Sequence, residues 1–317
     1  MNEEYLFQTR NLTKVYSKKK IVNDVNLNVK KGSIYGLIGK NGAGKTTLFK
    51  MITNLIRPTS GEIEFSPEIQ SERNWRSKIG AVIEYPVFYP YLSARQNLHA
   101  QRIALGLSNK DVVDELLEIV GLSDVGKKQA KKLSLGMKQR LAIALALVGD
   151  PIFLFLDEPI NGLDPMGIID IRNLLLKLHE RNVTIVISSH ILSELVKIAT
   201  DYAIINNGEL IIELSQEDLK SRLQTCVRVK VNDVQRSINL ISDELNLREY
   251  KILGNEIKIF TEQSNSMVIN SLLAKNDVIV ESIYTETGDS EEYFVKLMSM
   301  SKAKFESESD ENDSENT

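Results

Sequence analysis

The chain has 317 residues, 42% hydrophobic and 26% charged, which is enough apolar material for a sizeable core and predicts about two domains. Its formal net charge of −4 lacks the basic excess of a nucleic-acid binder, and its lone cysteine, Cys226, cannot form an internal disulfide, which points to a reducing compartment. The start, MNEEYLFQTR, lacks the apolar core of a secretory signal, and no apolar run reaches the roughly 18 residues of a membrane span.

Taken in chain order, residues 1–35 alternate apolar and polar in short stretches, predicting antiparallel strands with one wet face. Ile34–Ile38 reads as a short strand ending in a glycine-rich loop. Leu48, Met51, Ile52, Leu55 and Ile56 recur at helical spacing after it, and Pro58-Thr59-Ser60-Gly61 reads as a turn. Residues 90–148 are expected to be largely helical, with one helix through Val112–Val120 stopped by Gly121 and another over Gln139–Val148. Leu141–Leu156, the nearest approach to a membrane span, is broken by Gly149-Asp150-Pro151. Ile152–Leu156 and Val183–Ser188 read as buried strands, Asp164–Arg181 as an amphipathic helix, and Asn207-Gly208 as the turn of a hairpin. Alternating buried strands and helices predict an α/β class with a parallel core, ending near residue 215. Residues 216–303 predict a small α+β accessory domain, with Cys226 filling a strand position. Residues 304–317 carry six acidic residues and predict a disordered tail.

Two motifs carry chemistry. GKNGAGKT, Gly39–Thr46, matches the P-loop pattern G-x-x-x-x-G-K-[ST]. Successive backbone N–H groups must curl around a phosphate, and glycines let the chain turn without a Cβ in the way. The helix opening near Gly44 aims its positive end at the same anion. Gly39, Asn41, Gly42, Ala43, Gly44, Lys45, Thr46 and the following Thr47 are therefore the expected ATP contacts, with Lys45 on the β- and γ-phosphates and the Thr46 hydroxyl on Mg²⁺. FLFLDEP, Phe153–Pro159, is an apolar strand ending in two carboxylates. Asp157 is expected to hold Mg²⁺ and Glu158 to activate the attacking water.

LSLGMKQR, Leu133–Arg140, resembles the LSGGQ signature of ABC ATPases and stands just before Phe153–Pro159, where that family carries it. The resemblance covers roughly residues 5–215. It implies a P-loop NTPase core with an antiparallel β subdomain and a helical subdomain. It further implies that Tyr16 stacks on adenine, that Asn161–Pro165 is the D-loop with Asp164 reaching across a dimer interface, and that His190 senses the γ-phosphate. In this family ATP is sandwiched between two copies, so Ser134 and the Gly136 N–H would complete the partner's site from a helix N-terminus. Two departures stand out. The signature's first glycine is Leu135 and its glutamine is Met137. At the Q-loop position after Ile79–Ile83 the family's glutamine is replaced by Glu84, still a metal-ligand type.

Ile83–Leu98, IEYPVFYPYLSARQNL, is similar to ATPases of ABC-2-type exporters, and most to the bacitracin and lantibiotic self-protection group. The resemblance implies a separate membrane permease as partner and a cytoplasmic site on the inner face of the plasma membrane. Tyr85, Phe88, Tyr89 and Tyr91 are then either docking anchors or internal packing. The alternative, a soluble ABC ATPase acting on ribosomes or DNA, generally needs two cassettes or an inserted coiled coil. This chain has one uninterrupted cassette and no sustained heptads.

Overall fold

A computed structural model of the chain describes residues 5–71, 78–223, 225–245, 247, 250–260, 266–288, 290–301 and 305. The chain forms two compact units, one of residues 1–216 with 294–317 and the other of residues 217–293. The strands of the first unit are β1 (Tyr5–Tyr16), β2 (Lys19–Val25), β3 (Asn28–Lys30), β4 (Ile34–Ile38), β5 (Ser60–Phe65), β6 (Ile79–Val82), β7 (Phe153–Asp157), β8 (Thr184–Ser189), β9 (Asp201–Asn206) and β10 (Glu209–Ser215). β2, β3 and β5 all pair antiparallel with β1. The other six form one sheet in the order β10-β9-β4-β8-β7-β6, parallel except for the β9–β10 hairpin.

Every residue of β4, β7 and β8 is buried. That explains why these strands read as unbroken apolar runs, since a parallel strand with both faces covered has no wet side to encode. An aromatic cluster joins the two sheets. Phe7 of β1 and Phe65 of β5 meet Phe153 and Phe155 of β7, and Phe49 of the helix Lys45–Ile52 meets Phe155 edge-on at 5.3 Å. Such pairs add attraction beyond their buried area. They seat the helix that follows the glycine-rich loop against the strand that carries the two carboxylates.

Several boundaries differ from the sequence expectation. The turn at residues 58–61 is shorter, because Ser60 and Gly61 already belong to β5. Gly61 has φ +85°, and a Cβ there would fall 2.3 Å from the Asn11 carbonyl oxygen. The helix expected over 139–148 begins at Leu135, capped by Ser134. Among the described residues no helix is long and apolar enough to cross a membrane.

The second unit contains β11 (Thr225–Val231), β12 (Tyr250–Leu253), β13 (Glu256–Phe260) and β14 (Val280–Thr287), in the antiparallel order β12-β13-β11-β14. Helices Val234–Leu245 and Ser266–Lys275 link them in the sequence β-α-β-β-α-β, a split βαβ arrangement. Val227, Val229, Val231, Ile257 and Ile259 pack with Ile238, Ile241 and Leu273 of the helices. Strand β12 has no periodicity to read because it is an edge strand with every residue exposed. Cys226 is wholly buried in β11, and burial pushes its thiol up from the ordinary range, so it is a packing residue. The expected accessory domain ran to residue 303, whereas the segment from Phe294 groups with the first unit. The reason is apolar burial, for Phe294 is wholly enclosed and its ring lies 5.4 Å from that of Tyr202 in β9. The expected acidic tail, apart from Phe305, lies outside the described residues.

Candidate active site

The loop from Gly39 to Gly44 joins β4 to the helix Lys45–Ile52. Two of its glycines are required by conformation, Gly42 at φ +81° and Gly44 at φ +106°. A Cβ on Gly44 would also fall 2.7 Å from the Ile21 carbonyl oxygen of β2, whereas at Gly42 the space is open, which suits a surface that receives an anion. Lys45 is 5% exposed, and its Nζ donates to the Gly39 carbonyl at 2.6 Å.

Asp157, at the end of β7, receives two hydroxyl hydrogen bonds. Thr46 Oγ1 donates to its Oδ2 at 2.6 Å and Ser188 Oγ donates to its Oδ1 at 2.5 Å. The same Ser188 oxygen accepts the Glu158 N–H at 2.9 Å. Glu158 then lies between two cationic or imidazole groups. Its Oε1 is 3.2 Å from Lys45 Nζ, an ion pair without hydrogen-bond geometry that leaves this buried oxygen short of a hydrogen donor. Its Oε2 is 2.7 Å from His190 Nδ1. An ionised carboxylate only accepts, so the shared hydrogen sits on Nδ1, leaving Nε2 for another partner. Lys45, Thr46, Asp157, Glu158 and His190, drawn from three separate stretches of sequence, thus form one cluster.

Glu84 has no described contact with these five residues and pairs instead with Lys50 on the helix that carries Lys45 and Thr46. Its Oε1 is 2.7 Å from Lys50 Nζ, one turn beyond Thr46. Glu84 and Glu158 share a feature absent from the sequence reading. Both adopt the left-handed region, at φ +64° and +51°, directly after β6 and β7 or within two residues of their ends. Glutamate has no intrinsic preference for that region, so no residue-type signal announced it.

A second group assembles at two helix N-termini. Ser134 caps Leu135–Leu147 by accepting the Met137 N–H, and Asp164 caps Pro165–Glu180 by accepting the Gly167 N–H at 2.9 Å. Gly136 faces Gly167 and Leu163, so the two termini adjoin. Leu135 stands in the first helical turn, without a positive φ, with its side chain toward Gly162. Tyr16 ends β1, half exposed, with Lys14 Nζ 5.1 Å from its ring centre.

A groove of about 700 Å³ lies beyond Glu84 and does not contain the phosphate-type loop. Ile79–Ile83, Val87, Phe88 and Ala142 help to line it, with Tyr85 and Tyr89 on its wall. Tyr85, Tyr89 and Tyr91 are 79%, 65% and 70% exposed, which removes internal packing as their role, while Phe88 is half-buried. Asn97, not singled out by sequence, pins this segment. Its side chain accepts the Tyr89 N–H at 2.7 Å and donates to the carbonyls of Tyr89 and Ser93.

Comparison with known proteins agrees with this geometry. The ABC transporter family model matches residues 22–161. An ABC transporter ATP-binding protein of Bacillus subtilis (strain 168), YcbN, is 41% identical over 298 residues, 93% of this chain and 97% of the relative. The chain therefore belongs to the ABC transporter ATP-binding family and is an ATPase of that class, binding ATP. Within the family it is similar to the bacitracin transport ATP-binding protein BcrA of Bacillus licheniformis, at 41% identity over 92% of this chain and 97% of that one. It is also similar to the lantibiotic transport ATP-binding protein SrtF of Streptococcus pyogenes, at 45% over 66% and 90%. Among solved structures, the ADP conformation of the ATP-binding cassette MJ1267 superposes with a TM-score of 0.59 at 25% identity, covering 68% of this chain and 92% of that one. A dimeric post-hydrolysis cassette, MJ0796 bound to ADP and Pi, gives 0.58 at 26% identity, covering 66% and 98%.

Replacing Lys45 by Ala removes the cation from the loop. The dissociation constant for ATP, measured by equilibrium binding, should rise about 10-fold to about 100-fold, the range of a lost charge-assisted hydrogen bond. Glu84→Gln and Glu84→Ala should each change the ATPase rate or its coupling to a permease. Wild-type values of both quantities in both variants would remove Glu84 from the site.

Proposed function

We propose that this chain is the ATP-hydrolysing subunit of an exporter whose membrane spans belong to a separate permease chain, with peptide antibiotics of the bacitracin or lantibiotic kind as cargo. The observation that carries the reading is the juxtaposition of two features around Glu84. On one side is the Lys45–Thr46–Asp157–Glu158–His190 cluster, and on the other a groove rimmed by exposed tyrosines. With no spanning helix among the described residues, driving transport calls for a docking surface, and aromatic side chains around a groove suit an inserted helix. The relatives named for bacitracin and lantibiotic transport support the cargo class. The protein then works in the cytoplasm, on the inner face of the plasma membrane.

In this reading Gly39, Asn41, Gly42, Ala43, Gly44 and Thr47 wrap the phosphates with their backbone N–H groups or flanking turn, and Tyr16 stacks on the adenine. The residues fit Mg²⁺. Thr46 Oγ1 and an Asp157 oxygen lie 2.6 Å apart as hard oxygen donors, and among the described residues no group of three acidic, His or Cys side chains forms a closed cage. That sparse donor set matches an ion completed by substrate phosphates and water, with Glu84 as a further carboxylate. The bound ion would neutralise charge on the β- and γ-phosphate oxygens. Glu158 accepts the proton of the attacking water, and His190, oriented by Glu158, presents Nε2 toward the γ-phosphate. Ser134 and Gly136, with Asp164 beside them, offer helix-terminal donors to the nucleotide of a second copy, so the working form is a homodimer closed by ATP.

With Glu158→Gln the acceptor is lost while binding contacts remain. Turnover should fall by about a hundredfold or more, and gel filtration with ATP should give a dimer; a monomer there would overturn the ATP-closed homodimer. Affinity capture of the full chain from solubilised membranes should recover a polytopic membrane protein. Recovery of ribosomes in its place would overturn the exporter reading.

A further inference from the structure

The chain leaves its ATPase unit after Gln216 and rejoins it at Phe294. The returning segment, Phe294–Met300, runs along one face of β9. Tyr202, Ile204 and Asn206 alternate onto a common face of that strand. Phe294 packs its ring on Tyr202, and four residues further along β9 the Asn206 Nδ2 donates to the Met300 carbonyl at 2.9 Å. Leu297, Met298 and Met300 are all buried, so this is a packed strap and not a loose end.

Asn206 also ends β9 at the turn through Asn207 and Gly208, and that turn lies directly on the nucleotide loop. The Gly208 N–H donates to the Ala43 carbonyl at 2.9 Å, and the Gly208 carbonyl accepts the Asn23 N–H at 2.8 Å. A Cβ on Gly39 would fall 2.5 Å from the Ile205 carbonyl oxygen, and one on Gly208 would fall 2.4 Å from that of Ile21. Turn and loop therefore meet backbone to backbone. No flexible side chain lies between them to absorb a displacement.

We propose that Asn206 is a positioning residue for ATP binding, the link by which the C-terminal strap 294–300 holds the 206–208 turn and, through Ala43, the nucleotide loop. The strap is the covalent continuation of the 217–293 unit. A ligand or partner engaging that unit thereby has a route to ATP affinity through the chain itself. The inference rests on Gly39–Thr46 being the nucleotide loop.

The test uses the purified full chain, Asn206→Ala, a chain ending at Met298, the two changes combined, and a chain ending at residue 302 that keeps Met300. KM for ATP, kcat and thermal midpoint are measured for each. One neutral hydrogen bond carries modest net energy, so Asn206→Ala and the Met298 chain should each raise KM about 3-fold to about 10-fold with kcat within about twofold. The combined variant should be no worse than the more affected single one, because both changes break one contact. The chain ending at residue 302 should match wild type. Unchanged KM in Asn206→Ala, or KM effects that multiply in the combined variant, would overturn the proposal. If the Met298 chain fails to fold, Asn206→Asp stands in, since it keeps the shape and loses the donor; it should match Asn206→Ala, and wild-type KM would again overturn the link. Lys45→Ala separates the two levels. Intact ATP binding there would defeat the loop assignment, whereas weakened binding there with a wild-type KM in Asn206→Ala would defeat only the strap.

Discussion

The site depends on the carboxylate of Asp157. One oxygen accepts from Thr46 on the helix that follows the glycine-rich loop, and the other accepts from Ser188 on the neighbouring strand. A buried, doubly bonded carboxylate ties three elements into one rigid corner, and charge-assisted hydrogen bonds are the strong ones. The rest of the cluster is built out from that corner. Glu158 follows Asp157 in the chain, its N–H bonded to the Ser188 hydroxyl, and its side chain spans the gap between Lys45 and His190. The aromatic cluster beneath, from Phe49 to Phe155, keeps the helix and strand from sliding past each other.

Much of this was legible from residues alone where pattern and chemistry coincide. Ile34–Ile38 and Ile152–Leu156 read as strands because a strand covered on both faces favours an unbroken apolar run, and the observed strands are Ile34–Ile38 and Phe153–Asp157. The loop read as a phosphate cradle because glycines stand where positive φ is needed. Other features left no mark. Tyr250–Leu253 is wholly exposed and so has no alternation to detect. Asn97 acts by hydrogen bonding to the backbone of a segment eight residues away, a role any surface asparagine could equally lack. The Lys50–Glu84 pair depends on how β6 and the loop helix are set side by side, which is tertiary information. The C-terminal strap escaped for the same reason, since its apolar residues look like any amphipathic helix until Tyr202 supplies the other half of the contact.

The order of the chain has its own meaning. The ATPase fold is not finished when β10 ends at Ser215, because buried apolar residues from Phe294 to Met300 belong to it. The 217–293 unit, with its own sheet and core, is thus an insertion bracketed by two attachments to the ATPase unit.

The left-handed backbone at Glu158 carries a further consequence, one of engineering. An L-residue with a side chain in that region costs roughly 1–2 kcal/mol relative to glycine. A search for heat-resistant variants scored on folding alone would therefore favour Gly or Asn at this position, where the backbone strain would ease. The winner of such a screen would be a sturdier protein lacking the carboxylate proposed above to activate water. Robustness and turnover compete here over one pair of dihedral angles, so selection for one must be counter-screened against the other.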